Sequence, residues 1–500
     1  MSRTVPLGAM TAGLLLAWAT PAALASGWLE PGDLQLRSDL TTLVDAGQLD
    51  LPISGWPIPR ADVCDALPTR KPGEAAGETV RVLEATARLQ SYCADRQDTS
   101  RAYASVGDVG DLRGFAAEPR SDAVAGIAMG LAGDRGSARL DLSLHGDPQD
   151  DLVFRPDGSY AAREAGNWVW SAGWLDRWWG PGWDGSLIWS NNARPIPGIA
   201  VDRIRSTPFE TKWLSWIGPW RATAFLGLLE HDRVDVDDSL FLGLRVSVRP
   251  LDGLELAFAR TAQFCGDGLP CTWESFADML FGYDNAGTDV SPEEEPGNQM
   301  GSVEARWASP LGDAPYAVYA QFTGEDEANF FPVKLLKLYG ADGLVTIRDV
   351  AVRVYLEYAD TSCASSNADK VYNCAYNQRL YYYEGYRYRG RTIGHAMDND
   401  GALWTLGAAW TTPAGWSVEA TARHAELNRS GAPDSRHTIS PTPLKHYEIA
   451  GGAARAWHWG TLRLRVSGAY QEPASGTGNV VDVAGYIGYE RRFGGRARGS

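Results

Sequence analysis

Seven of the chain's twenty tryptophans fall within the twenty-two residues from Trp168 to Trp189. Asp176, Arg177 and Asp184 stand among them, and Asn191, Asn192 and Arg194 follow directly. An indole offers a broad apolar face and one N–H donor, so rings interleaved with charged and amide side chains suit an amphipathic ligand such as a sugar, stacked and hydrogen-bonded at once. The candidates on this stretch are Arg177, Trp178, Trp179, Trp183, Asn191, Asn192 and Arg194. The same rings equally suit the inside of a large β-structure or a membrane-interface belt. Gly180, Pro181 and Gly182 predict a turn and hence a shaped loop.

A second stretch, Tyr381 to Gly401, alternates Arg387, Arg389 and Arg391 with Tyr386, Tyr388 and Gly390. As a strand it puts three guanidinium groups on one face. Such a row suits a carboxylate-bearing or otherwise anionic polymer; the alternative is a basic ladder on a barrel wall, paired with acids across the lumen. Asp398, Asn399 and Asp400 before Gly401 read as a cation site or, more simply, a turn. No nucleophile elbow, zinc helix or phosphate-cradling loop occurs. The seven histidines show no metal-ligand spacing, so neither metal nor cofactor is expected. A glycosidase needs only two carboxylates, which leaves hydrolysis open without a positive sign.

Residues 1–25 carry Arg3, an apolar run through Leu14 to Trp18 and a small-residue site before Ser26, the pattern of a secretory signal. The six cysteines fall as local pairs, Cys64 with Cys93, Cys265 with Cys271 and Cys363 with Cys374. Without CxxC spacing or histidine partners, disulfides in an oxidising compartment are the expected use, although six cysteines allow fifteen connectivities. Removing Arg3 with the signal takes the formal charge from −16 to −17. An acidic chain of this size is a poor nucleic-acid binder.

Residues 26–100 read as a small helical bundle. Asp33 caps a helix with the apolar stripe Leu36, Leu40, Leu43 and Val44, stopped at Gly47. A short helix is expected around Ala61 to Leu67. A third runs from about Glu78 to Asp95, with Val82, Thr86, Leu89 and Cys93 on one side. After a linker at 101–123, residues 124–493 change to a period of two. Leu244, Val246 and Val248 share one face against Arg245, Ser247 and Arg249, and after a turn Leu254, Leu256 and Phe258 repeat it. Strands of about nine to eleven residues, tight turns alternating with long loops, and Trp and Tyr near strand ends predict a mainly β, antiparallel transmembrane barrel; a soluble sandwich or propeller also alternates. The last strand is expected over 481–493, with Val483, Ile487, Tyr489 and Phe493 on one face and a tail at 494–500. The acidic run at 292–296 reads as a solvated loop.

Three segments, LRSDLTTLVDAGQLDLPISGWPIP, DRWWGPGWDGSLIWSNNARPIPGIAVDR and YRYRGRTIGHAMDNDG, lie in that order over nearly the whole mature chain. Together they resemble the capsule assembly Wzi family of Gram-negative outer-membrane proteins. The resemblance implies a barrel of about eighteen strands with a helical bundle at its periplasmic end, an outer-membrane location among lipid, and lectin-like attachment of capsular or extracellular polysaccharide without catalysis. Other capsule export components are further partners it suggests. It adds His395, Asp398 and Asn399 to the motif positions. A diffusion porin and a polysaccharide hydrolase remain the alternatives.

Overall fold

The computed structural model describes residues 27–67, 79–94, 100–133, 135–281, 297–309, 316–328, 331–364, 372–377, 382–431, 436–474, 476 and 478–493. Residues 1–25, read as a signal, the acidic run at 292–296, Tyr381 and the tail at 494–500 lie outside them.

Three helices open the described chain. Helix α1, Leu34–Asp45, starts where the Asp33 carboxylate accepts from the Leu36 N–H at 2.9 Å, and it ends before Gly47, whose φ of 69° suits glycine. Leu36, Leu40, Leu43 and Val44 are all buried. Helix α2 is Arg60–Cys64 and α3 is Val80–Ala94, burying Val82, Ala85 and Leu89. Cys64 and Cys93 staple α2 to α3, and the 265–271 and 363–374 pairs also form, so the local pairing inferred from spacing is the one found.

Eighteen antiparallel strands close a barrel, with the two-residue strand Phe154–Arg155 lying beside one of them. The first strand is Ser100–Asp108, inside the stretch read as a linker. It pairs with the last, Val480–Phe493, in the register Ser100 to Phe493 and Asp108 to Gly485, so without it the sheet would not close. Its small residues hid it: Ala102, Ala104 and Ser105 give little hydrophobic alternation. Wall strands run from six residues, as in Trp168–Gly173, to seventeen in Phe331–Ile347, a wider spread than the nine to eleven expected.

Alternation holds along the walls. Val246, Leu256, Phe258, Val483 and Ile487 point outward, while Arg245, Ser247 and Arg249 are buried on the inside. Closure leaves the wall no open edge strand, and the outward apolar band suits lipid. Among the described residues no helix is long and apolar enough to cross a membrane.

The two ends differ. At one, the strands join through tight turns such as 252–253, 348–349 and 458–459; Arg348 and Asp349 both take positive φ, as a two-residue hairpin requires. Stacked rings line this end, including Trp457 on Trp459 and Phe209 on Trp220. Helix α1 docks here into the barrel mouth, where Arg306 grips Asp45 at 2.6 Å and the Arg353 guanidinium donates to Thr42 Oγ1 at 2.9 Å. The helical module thus borrows its core from the barrel: Leu40 and Leu43 belong to one apolar cluster with Trp178, Trp183 and Leu338. The other end carries the long loops, among them 109–120, 229–239 and 428–443.

Candidate functional site

The tryptophan-rich loop leaves the wall after Gly173, crosses the lumen and rejoins the wall at Gly198. Trp178 and Trp179 pair as a two-residue strand with Trp56 and Gly55, tying the loop to the helical module. Wall carboxylates and amides satisfy its backbone. Glu357 accepts from the N–H groups of Trp183 and Gly185, each at 2.7 Å, and from the Tyr319 hydroxyl at 2.9 Å. Gln321 accepts from the Leu187 N–H at 2.8 Å and donates to the Trp179 carbonyl at 2.9 Å. Asp184 takes a bidentate grip from Arg423, at 2.6 and 3.0 Å, and a bond from Thr405 Oγ1 at 2.6 Å. Buried backbone must find partners somewhere, and here the barrel interior supplies them.

The rings therefore do not form an open stacking surface. Trp178, Trp179 and Trp183 are fully buried. Trp183 stacks on Tyr355 at 5.6 Å, Trp179 lies 4.8 Å from Trp189, and Trp178 meets Phe115 edge-on at 5.2 Å. Arg177 is buried too, over the Phe225 ring at 4.9 Å with Asp202 at 3.9 Å. A loop crossing a barrel has wall on every side, so its rings become core. Of the seven, only Trp168 and Trp170, on wall strand Trp168–Gly173, are exposed, facing outward.

The second motif interlocks with the first. The Tyr386 hydroxyl donates to the Ile188 carbonyl and accepts from Thr261 Oγ1 on the wall, both at 2.8 Å; Tyr376 donates to the Leu187 carbonyl at 2.7 Å. The Ser190 N–H donates to the Ile393 carbonyl at 2.8 Å, and Asn192 Nδ2 to Thr392 Oγ1 at 3.0 Å. His395 is buried against Gly185; a Cβ at Gly185 would stand 2.1 Å from His395 Nε2. Its Nδ1 accepts from the Met397 N–H at 3.2 Å, and burial holds its pKa down to about 4. The two motifs together form a plug across the lumen.

The arginine row is also corrected. Arg387–Tyr388 pairs with Arg391–Thr392, and Arg389 and Gly390 turn between them at φ of 52° and 73°. A two-residue hairpin reverses the chain where an extended strand was expected, so the three guanidinium groups part. Arg387 is buried on Asp398 at 2.6 Å, Arg389 reaches Asp232 at 2.7 Å, and Arg391 reaches Gln149 Oε1 at 2.8 Å. Asp398 is thus an ion-pair partner: burial pushes its carboxyl up, but Arg387, His437 and the Thr438 N–H together hold it below the usual carboxylate range. Asp400 accepts from the Asn373 N–H at 2.5 Å, and no group of metal-ligating side chains occurs among the described residues.

Four of the residues singled out do come together on an open pocket of about 690 Å³ at the long-loop end: Asn192, Arg194, Arg389 and Arg391. Arg194 is clamped by Asp157 at 2.8 and 2.9 Å and by Asp150 at 2.5 Å, and Asn191 holds the Phe115 carbonyl beside it at 3.1 Å. The pocket's remaining arginines, Arg113, Arg120 and Arg155, escaped the sequence reading. Two sit in the supposed linker, and the only local signal was a pair of basic residues flanking an irregular, proline-containing stretch. Their convergence with residues almost 300 positions away is tertiary.

The model of the capsule assembly protein Wzi family matches residues 100–483. An uncharacterized 55.8 kDa protein in the cps region of Klebsiella pneumoniae is 32% identical over 356 residues, 71% of this chain and 69% of that protein. The solved structure of Wzi, an outer-membrane protein involved in group 1 capsule assembly in Escherichia coli and described as a carbohydrate-binding β-barrel, superposes with a TM-score of 0.80. It is 26% identical, and the match covers 94% of this chain and all of that one.

Proposed function

Since the chain belongs to the Wzi capsule assembly family of outer-membrane barrels, we propose that it binds capsular or extracellular polysaccharide at its long-loop end and so holds the polymer on the cell surface. The observation that carries this reading is the pocket walled by Asn192, Arg194, Arg389 and Arg391 above a plugged lumen. Guanidinium and amide groups present fixed donors to hydroxyl and acidic groups of a glycan. In this reading the helical module faces the periplasm, where tight turns belong, and the long loops face outward. Lipid covers the outward apolar band, and capsule export components are candidate partners.

A porin needs an open lumen, whereas here Glu357, Gln321, Thr405 and Arg423 bind the plug from several wall strands. The arginine-rich pocket fits retention of a polymer better than its cleavage, so the protein is read as a non-enzyme. Many weak contacts along one chain would give retention by avidity. Deleting the gene should leave polymer synthesis intact and shift capsule from cell-bound to released. Unchanged cell-bound polymer would overturn the attachment reading, and release of new reducing ends from purified capsule would favour hydrolysis.

A further inference from the structure

The pocket at the long-loop end is electrically two-sided. Arg113, Arg120 and Arg391 gather on one wall. Burial, then Arg120, then Arg391 push Arg113 down to about 9; burial, with Arg120 adding to it, also holds Arg391 below the usual guanidinium range. Like charges gathered in a half-buried wall need compensation. Among the described residues, Arg120 alone of the three forms a salt bridge, to Asp176 at 2.8 Å. Arg113 donates to the carbonyls of Glu118 and Pro119, at 2.5 and 2.6 Å. Arg391 donates to Gln149 Oε1, the Asp111 carbonyl and Asn192 Oδ1, all neutral acceptors. Burial raises the Asp111 carboxyl above its ordinary range, and its charge offsets only part of the burial of Arg391.

Two donors on this wall stay open. Arg391 Nη2 and Arg120 Nη1 bond no atom of the described residues, and neither is enclosed. Behind them Arg113 Nε and Arg155 Nη1 are buried without partners, although Arg113 is only 6% and Arg155 only 1% exposed. Buried donors normally find acceptors, so the wall is short of them. The same pocket also carries acid: Asp108, Asp122 and Asp147 line it, near enough that, after burial, Asp108 and Asp147 both push the Asp122 carboxyl up, and among the described residues no side-chain donor bonds their carboxylates.

A neutral sugar would leave the guanidinium excess uncompensated, and a densely sulfated chain would meet these acids. One carboxylate flanked by hydroxyl groups matches both sides. We propose that this pocket takes a single carboxylate-bearing sugar, of the hexuronic acid type, with the carboxylate on Arg391 and Arg120 and the hydroxyls donating to Asp108, Asp122 and Asp147. The proposal rests on the polysaccharide reading above and narrows it to an acidic glycan. Charge-assisted bonds from guanidinium to carboxylate are the strong ones in such a site.

The test titrates the detergent-purified full chain with a hexasaccharide of alternating glucuronate and N-acetylglucosamine, and with the same oligomer after its carboxyls are reduced to alcohols. The carboxylated form should bind at least about tenfold more tightly. Arg391→Gln should erase that preference, weakening the carboxylated form at least about tenfold more than the reduced one, while Arg391→Lys should keep part of it. Equal binding of the two oligomers by the parent overturns the carboxylate pocket and leaves the polysaccharide reading standing. Failure to bind either oligomer, in cells that still retain capsule, also overturns the pocket alone; if those cells lose no polymer on gene deletion, both readings fall.

Discussion

Replacing Arg423 with glutamine should loosen the plug more than any other single change of similar size. The guanidinium lies inside the barrel with three bonds to buried carboxylates: two to Asp184, at 2.6 and 3.0 Å, and one to Glu448 at 2.6 Å. It also donates to the Leu112 carbonyl at 3.0 Å, which links the plug to the pocket loop 109–120. Asp184 is 4% and Glu448 4% exposed, so water cannot take over. Removing one partner of a buried ion pair typically costs about 3–5 kcal/mol because it strands the other charge. Two carboxylates are stranded here, which places Arg423→Gln at the upper part of that range. Asp184→Asn alone keeps Arg423 on Glu448 and should cost about 1–2 kcal/mol, the loss of charge-assisted bonds. The double variant leaves only Glu448 unpaired and should be less damaged than the sum, with a coupling of about 1–3 kcal/mol. The assay is the heat-induced shift between folded and unfolded mobility on mild-detergent gels, together with liposome swelling by small sugars. The parent should show no swelling and Arg423→Gln should show it. An Arg423→Gln variant within about 1 kcal/mol of the parent and still impermeable would refute the view that this ion pair holds the plug.

Two further outcomes follow from the same geometry. His395 is held neutral, its pKa lowered by burial from 6.5 to about 4, so its contribution is fully present above pH 6.5 and is lost as pH falls through about 4. The loss reaches about 3 kcal/mol, and His395→Gln should flatten the stability profile over that window; an unchanged slope would refute the assignment. Cys363 and Cys374 close a loop of 11 residues beside the plug, and replacing both with serine should lower stability by about 3 kcal/mol, mainly by freeing the unfolded chain. Urea midpoints with and without reductant test this, and non-reducing peptide maps that recover free thiols would overturn it.

Much of the architecture was legible because it is periodic. The alternation at Leu244 to Arg249 reports a wall with lipid on one side and a polar interior on the other, and Asp33 with Gly47 brackets α1 through local capping alone. The three cysteine pairs were readable because each closes a short loop. What local pattern could not carry was direction. Trp178, Trp179 and Trp183 look the same in sequence whether they face solvent or fill a lumen, and only the crossing of the barrel by their loop buries them. Arg387, Arg389 and Arg391 alternate as a strand would, yet positive φ at Arg389 and Gly390 turns them into a hairpin.

The sequence by itself determined the class of the fold, the helical module, the disulfide pairs and the two segments around which the interior is built, since each depends on neighbours within a turn, a strand or a short loop. The tertiary structure alone decided that those segments interlock as a plug, that Ser100–Asp108 closes the wall, and that Arg113 and Arg120 meet Arg391 on one wall of a pocket. The physical reason is that burial and charge compensation are sums over everything nearby, and in a closed barrel the nearest groups come from strands hundreds of residues apart.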